Sequence, residues 1–116
     1  MAYNICKNYQ KSRPMAIQIC EALGIRVSLD PKGVYLDDKT KAVVYMGDGQ
    51  YRIVINANLS REEMQLATCH ELAHIILGHL LPSYVGSPEQ REFEAESLGY
   101  IIYSYIYNRF YISEEV

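Results

Sequence analysis

Ser60-Arg61-Glu62-Glu63 fixes the start of a helix more tightly than any other stretch fixes its own structure. The Ser60 hydroxyl can accept from the Glu63 amide while the Glu63 carboxylate reaches back to the Ser60 amide, and Leu59 and Met64 stand at the two positions of a hydrophobic staple. Pro82 forbids extension, so the predicted helix runs from Ser60 to about Leu80 or Leu81. Within it Leu66, Ala67, Cys69, Leu72, Ala73, Ile75, Ile76, Leu77, Leu80 and Leu81 occupy every side. A helix apolar all round is a buried helix, so the rest of the chain must supply elements that cover it.

His70, Glu71 and His74 interrupt that apolar surface in the pattern H-E-x-x-H. Residues four apart on a helix lie one above the other, so the two imidazoles can face one ion with Glu71 beside them, which is a mononuclear zinc site in outline. An unpaired buried carboxylate is costly, and a dication supplies its partner. Cys69 adjoins His70, but helix neighbours point about 100° apart, so it reads as a small buried residue and not as a ligand. His79 lies about 140° round the helix from His74 and reads as a C-terminal residue favourable with the helix dipole.

Bulk properties narrow the classes. A chain of 116 residues with 49% hydrophobic and 22% charged residues is one globular domain able to bury a core without disulfides. Cys6, Cys20 and Cys69 are odd in number and widely spaced, which indicates neither a disulfide framework nor a cysteine zinc site. No apolar run approaches the roughly 18 residues of a membrane span, and the first residues lack a signal-peptide core, so a cytoplasmic location with no membrane association is expected. A net charge of -3 argues against direct nucleic-acid binding, which needs clustered cations to neutralise phosphates.

Residues 1–11 form an N-terminal extension in which Tyr3, Ile5 and Tyr9 have no clear period. A helix is predicted over residues 12–24, starting near Ser12 or Arg13, helped by Pro14 and closed by Gly24 and Ile25. Residues 26–56 read as sheet: strands at Arg26–Leu29, Val34–Leu36 and Ala42–Met46, then a Gly47-Asp48-Gly49 turn and a return through Tyr51–Asn56. Three or four antiparallel strands need the flanking helices to cover one face, which predicts an α+β fold. Ser87-Pro88-Glu89-Gln90 opens another helix, placed over 87–110, whose second half carries Tyr100, Tyr103, Tyr105 and Tyr107 as packing with a wet rim.

Catalytic zinc ordinarily takes three protein ligands. The metzincin pattern fails because Leu77 and Leu80 stand where it needs Gly and His. A carboxylate from the following helix is the remaining source, among Glu89, Glu92, Glu94 and Glu96. Glu94 shares a face with Leu98, Ile101 and Tyr105 and is the first choice; Glu92 lies about 160° away and is the second.

The strand ending in Asn56, the capped helix with His70-Glu71-Leu72-Ala73-His74 and Leu77-Gly78-His79, and then Glu92-Phe93-Glu94-Ala95 resemble the ImmA/IrrE family of small metallopeptidases over roughly residues 12 to 105. After that last motif the family usually continues with Asn or Asp and then Phe-Ala, where this chain has Glu96, Leu98 and Gly99. The resemblance implies a minimal gluzincin-like fold, one zinc ion held by His70, His74 and Glu94, and Glu71 as general base. It also implies a partner protein as substrate, often a repressor, the helix-turn-helix kind included; an appended regulatory or DNA-binding domain is not seen in this sequence, so a stand-alone catalytic unit is expected. The expected function is thus a zinc-dependent endopeptidase, with the substrate added along a strand edge such as Ala42–Met46 and Tyr84, Tyr100 or Tyr103 as oxyanion donors. The competing expectation is a non-catalytic zinc-containing module that recruits or sequesters a transcriptional regulator. Oligomeric state is left open.

Overall fold

The capping box forms as the sequence requires: Ser60 Oγ accepts from the Glu63 amide at 3.1 Å and Glu63 Oε1 accepts from the Ser60 amide at 3.2 Å. The computed structural model describes residues 13–31 and 33–112, so the N-terminal extension, Cys6 and Ser12 lie outside the described residues. In chain order the elements are α1 (Met15–Ala22), β1 (Arg26–Asp30), β2 (Ala42–Gly47), β3 (Gln50–Asn56), α2 (Arg61–Ile76) and α3 (Pro88–Tyr107), followed by a π-helical turn (Asn108–Ile112). This is the α+β arrangement expected.

The sheet differs in detail from the expected antiparallel one. Its order is β1-β3-β2, with β2 antiparallel to β3 and β1 parallel to it. The expected strand at Val34–Leu36 is a loop, because the Asp30 carboxylate takes up the amides of Val34, Tyr35 and Leu36 at 2.9, 3.1 and 2.9 Å. Amides spent on a side chain cannot build a strand ladder. The loop carries the chain past the slot beside β1, and β3 then fills that slot on returning from β2. Asp48 and Gly49 make the hairpin turn with positive φ at both positions, the two-residue turn whose twist matches the strands.

The central strand is the most buried, with Ile53 and Ile55 fully enclosed against Ile17 and Cys20 of α1, Val27 of β1 and Leu72 of α2. A smaller cluster of Ala16, Cys69 and Ile106 joins α1, α2 and α3. The end of α1 follows its sequence signal: Gly24 has φ 85°, and the Ile25 amide donates back to the Cys20 carbonyl at 2.9 Å.

Helix α2 ends four to five residues earlier than Pro82 alone requires. Gly78 adopts φ 71°, and the His79 amide donates to the His74 carbonyl at 3.0 Å, a closure that reverses the chain. The all-round apolar surface consequently stops being interior there, and Ile76, Leu77 and Leu81 are exposed. Ser87 caps α3 through the Gln90 amide at 3.0 Å, while the Gln90 side chain turns along the helix to Glu94 instead of closing a capping box. No described helix is long and apolar enough to cross a membrane.

Candidate metal centre

One turn of α2 brings the ligand atoms of His70, Glu71 and His74 within 4.8 Å of one another. The two imidazoles meet edge to face, with centroids 4.9 Å apart. Helix α3 closes the group from the other side. Oε2 of Glu92 stands 2.9 Å from Nε2 of His74 and 3.6 Å from Nε2 of His70. The carboxylate brought to the imidazole pair is therefore Glu92, second in the sequence-based order, and Glu94 is held elsewhere.

The reason lies in which face of α3 turns inward. Ala95, Gly99 and Ile106 are buried, with Ile102 partly so, whereas Ile101 and Tyr105 are exposed. The inward stripe is thus Ala95, Gly99, Ile102 and Ile106, at spacings of four, three and four. Glu92 lies one turn before Ala95 on that stripe. Two of its members are too small to register as hydrophobic signal, although their spacing alone was available in the sequence.

Glu94 is occupied by three donors. Gln90 Nε2 reaches Oε2 at 3.1 Å, while His79 Nε2 at 2.9 Å and Tyr84 Oη at 3.0 Å meet Oε1. These bonds from Gln90, His79 and Tyr84 hold its carboxyl below the ordinary range. His79 also approaches His74, with 2.8 Å between their Nδ1 atoms. It does not point away from the site, because the Gly78 reversal carries it back. Continuous helical geometry does not give this contact; in the sequence its signal is the Gly78-His79 pair.

Electrostatics follow from burial. Glu71 is 8% exposed, and that burial, reinforced by Glu92, pushes its carboxyl up to about 8. Burial lowers His74, with the Glu92 charge pulling the other way. Cys69 is fully buried in the second cluster, which pushes its thiol up to about 12, and it takes no part in the group.

The donor set fits a dication on a count of protons. Glu92, His74, His79 and Glu94 form a row of three close contacts with a carboxylate at each end. Two neutral imidazoles carry two protons, so one contact lacks a proton unless a ring is charged or a cation stands there. A dication would supply the missing positive charge, and His70, His74 and Glu92 are the side chains that would hold it. Two imidazoles and one carboxylate, with a position left for water or substrate, are a known catalytic zinc set.

An open cleft of about 360 Å³ leads to this group, bounded by Lys41 and Ala42 at the start of β2, by α2, and by Glu92, Glu96 and Tyr100 of α3. Of the three tyrosines considered as oxyanion donors, Tyr100 lines the cleft. Tyr84 is committed to Glu94, and Tyr103 donates to Glu62 at 2.7 Å.

Compared with known proteins, residues 20–105 match the family model Peptidase_M78, the IrrE N-terminal-like domain. No curated protein and no solved structure matches the chain.

Proposed function

The chain belongs to the Peptidase_M78 family, the IrrE N-terminal-like metallopeptidases, and on that premise we propose that it is a zinc-dependent endopeptidase that cleaves a partner regulatory protein of the repressor type. The observation that carries this reading is the convergence of Glu92 Oε2 on the Nε2 atoms of His70 and His74, at 3.6 and 2.9 Å, with Glu71 alongside. His70, His74 and Glu92 hold the ion, Glu92 replacing Glu94 as third ligand. When bound, zinc acidifies water and polarises the scissile carbonyl.

Glu71 does the proton work. Its carboxylate stands beside the two imidazoles and lines the cleft, where it can take the proton of the attacking water and return it to the leaving amine. The peptide lies along the edge of β2 that no described strand pairs with, the other edge being paired to β3, and the start of β2 at Ala42 opens onto the cleft. Tyr100 is the hydroxyl best placed to meet negative charge developing on the carbonyl oxygen.

The test pairs metal analysis of the purified protein with cleavage of a co-expressed repressor by the wild type and by Glu71→Gln. Near-stoichiometric zinc in both proteins, with cleavage only by the wild type, is expected. Cleavage surviving in Glu71→Gln removes the general base from the mechanism. Binding of the repressor without cleavage by either protein selects a recruiting module instead.

A further inference from the structure

His79 is fully buried at its side chain and spends both ring nitrogens inside the protein, Nδ1 on His74 and Nε2 on Glu94. An ionised carboxylate can only accept, so the proton in the 2.9 Å contact sits on His79 Nε2. A neutral imidazole has one N–H. With the cation of the proposed metal centre in place and His79 neutral, its Nδ1 is an acceptor and the proton in the 2.8 Å contact belongs to Nδ1 of His74. With Nδ1 protonated, the lone pair of His74 is on Nε2, the atom that faces Glu92.

We propose that His79 is a positioning residue that locks His74 in the Nδ1–H tautomer and aims its Nε2 lone pair at the metal, with Glu94 as the fixed anchor of the row. Ligating histidines ordinarily donate their second nitrogen to a carboxylate or carbonyl. Here an imidazole is interposed, and the carboxylate stands one residue further out.

The anchor is itself held from two elements, by Gln90 one turn earlier on α3 and by Tyr84 from the connection between α2 and α3. The Tyr84 ring also packs edge to face on His79, at 4.6 Å between centroids. The row therefore ties the end of α2, the connecting segment and the first turns of α3 to the orientation of one ring. Glu94 contributes to the site without touching the metal, through His79.

This inference rests on the metal-centre reading, and the experiment separates the two. Zinc affinity is measured by chelator competition for the wild type, His79→Leu and His79→Gln, with the melting temperature of each metal-free protein recorded beside it. Gln can accept from His74 through its oxygen and donate to Glu94 through its nitrogen; Leu can do neither. His79→Leu should bind zinc roughly 10–100-fold more weakly, the usual effect of losing such a partner. His79→Gln should recover most of that loss, with both variants still melting cooperatively. Long-range proton–nitrogen NMR of the zinc-loaded wild type should find the proton of His74 on Nδ1 and that of His79 on Nε2. Equal zinc affinity in His79→Leu, no recovery in His79→Gln, or a proton on His79 Nδ1 overturns the positioning role alone. A wild type that binds no zinc overturns the metal centre with it.

Discussion

A Cβ built on Gly99 of α3 stands 3.1 Å from the Cα of His70 on α2 and 3.3 Å from its nitrogen. The two helices therefore touch backbone to backbone at the residue that carries one of the imidazoles. Glu92 lies two turns before Gly99 on α3, so this contact sets the gap that Glu92 must cross to reach the histidines.

Gly99 should accordingly be costly to replace, although it sits inside a helix. Gly→Ala at a free helical position gains about 1 kcal/mol. At Gly99 the neighbouring atoms are helix backbone and cannot give way alone, so the helices must part. Gly99→Ala should forfeit that gain and weaken zinc binding, and Gly99→Leu should weaken it further. Thermal melts and chelator competition on both variants check this, and a Gly99→Leu protein with wild-type zinc affinity would show that the contact does not set the site.

The proposed function gives Glu92 to the metal and Glu94 to His79, the reverse of the order the sequence suggests, and two substitutions tell the roles apart. Glu94→Ala removes the anchor of His79 but no ligand, so zinc should bind roughly 10–100-fold more weakly. Glu92→Ala removes the carboxylate nearest both imidazoles and should cost more than that range. The reverse order, read by the same competition assay, would return Glu94 to the metal.

What the sequence made legible depended on where each signal is local. The cap at Ser60, the turn at Asp48-Gly49 and the spacing of His70 and His74 are set by residues within one turn of each other, and each stands as expected. The identity of the third carboxylate depends on how α3 is rotated against α2, and that rotation is decided by Ala95 and Gly99, whose virtue is lack of bulk. The loss of the Val34–Leu36 strand has a similar origin. One carboxylate, Asp30, takes three amides that propensity assigns to a ladder. The position of His79 follows from a single backbone angle at Gly78.

The capping box offers a change that should alter stability without altering the site. Ser60 satisfies the Glu63 amide ten residues before His70, at the far end of α2. Ser60→Ala should destabilise the protein by about 1 kcal/mol, the usual cost of losing such a cap. Urea unfolding measures the loss, while zinc affinity should stay at the wild-type value. A fall in both would mean that the first turn of α2 is coupled to the metal centre.

Asp30 supplies the pH dependence. Burial at the end of β1 opposes its ionisation, yet hydrogen bonds from the amides of Leu36, Tyr35 and Val34 outweigh that and hold its carboxyl below the ordinary value of 3.8. The unfolded chain therefore takes up the proton first as pH falls. A carboxylate of depressed folded pKa contributes stability that is fully present above its unfolded value, near pH 4, and is lost as pH drops through the lower folded value. Asp30→Asn keeps one acceptor oxygen and does not titrate. Its deficit in stability relative to wild type should be constant from about pH 7 to about pH 5 and shrink below about pH 4. Denaturant melts of both proteins across that range measure the difference directly, and a deficit as large near pH 3 as at neutrality would mean that the ionised carboxylate is not what holds residues 34–36 out of the sheet.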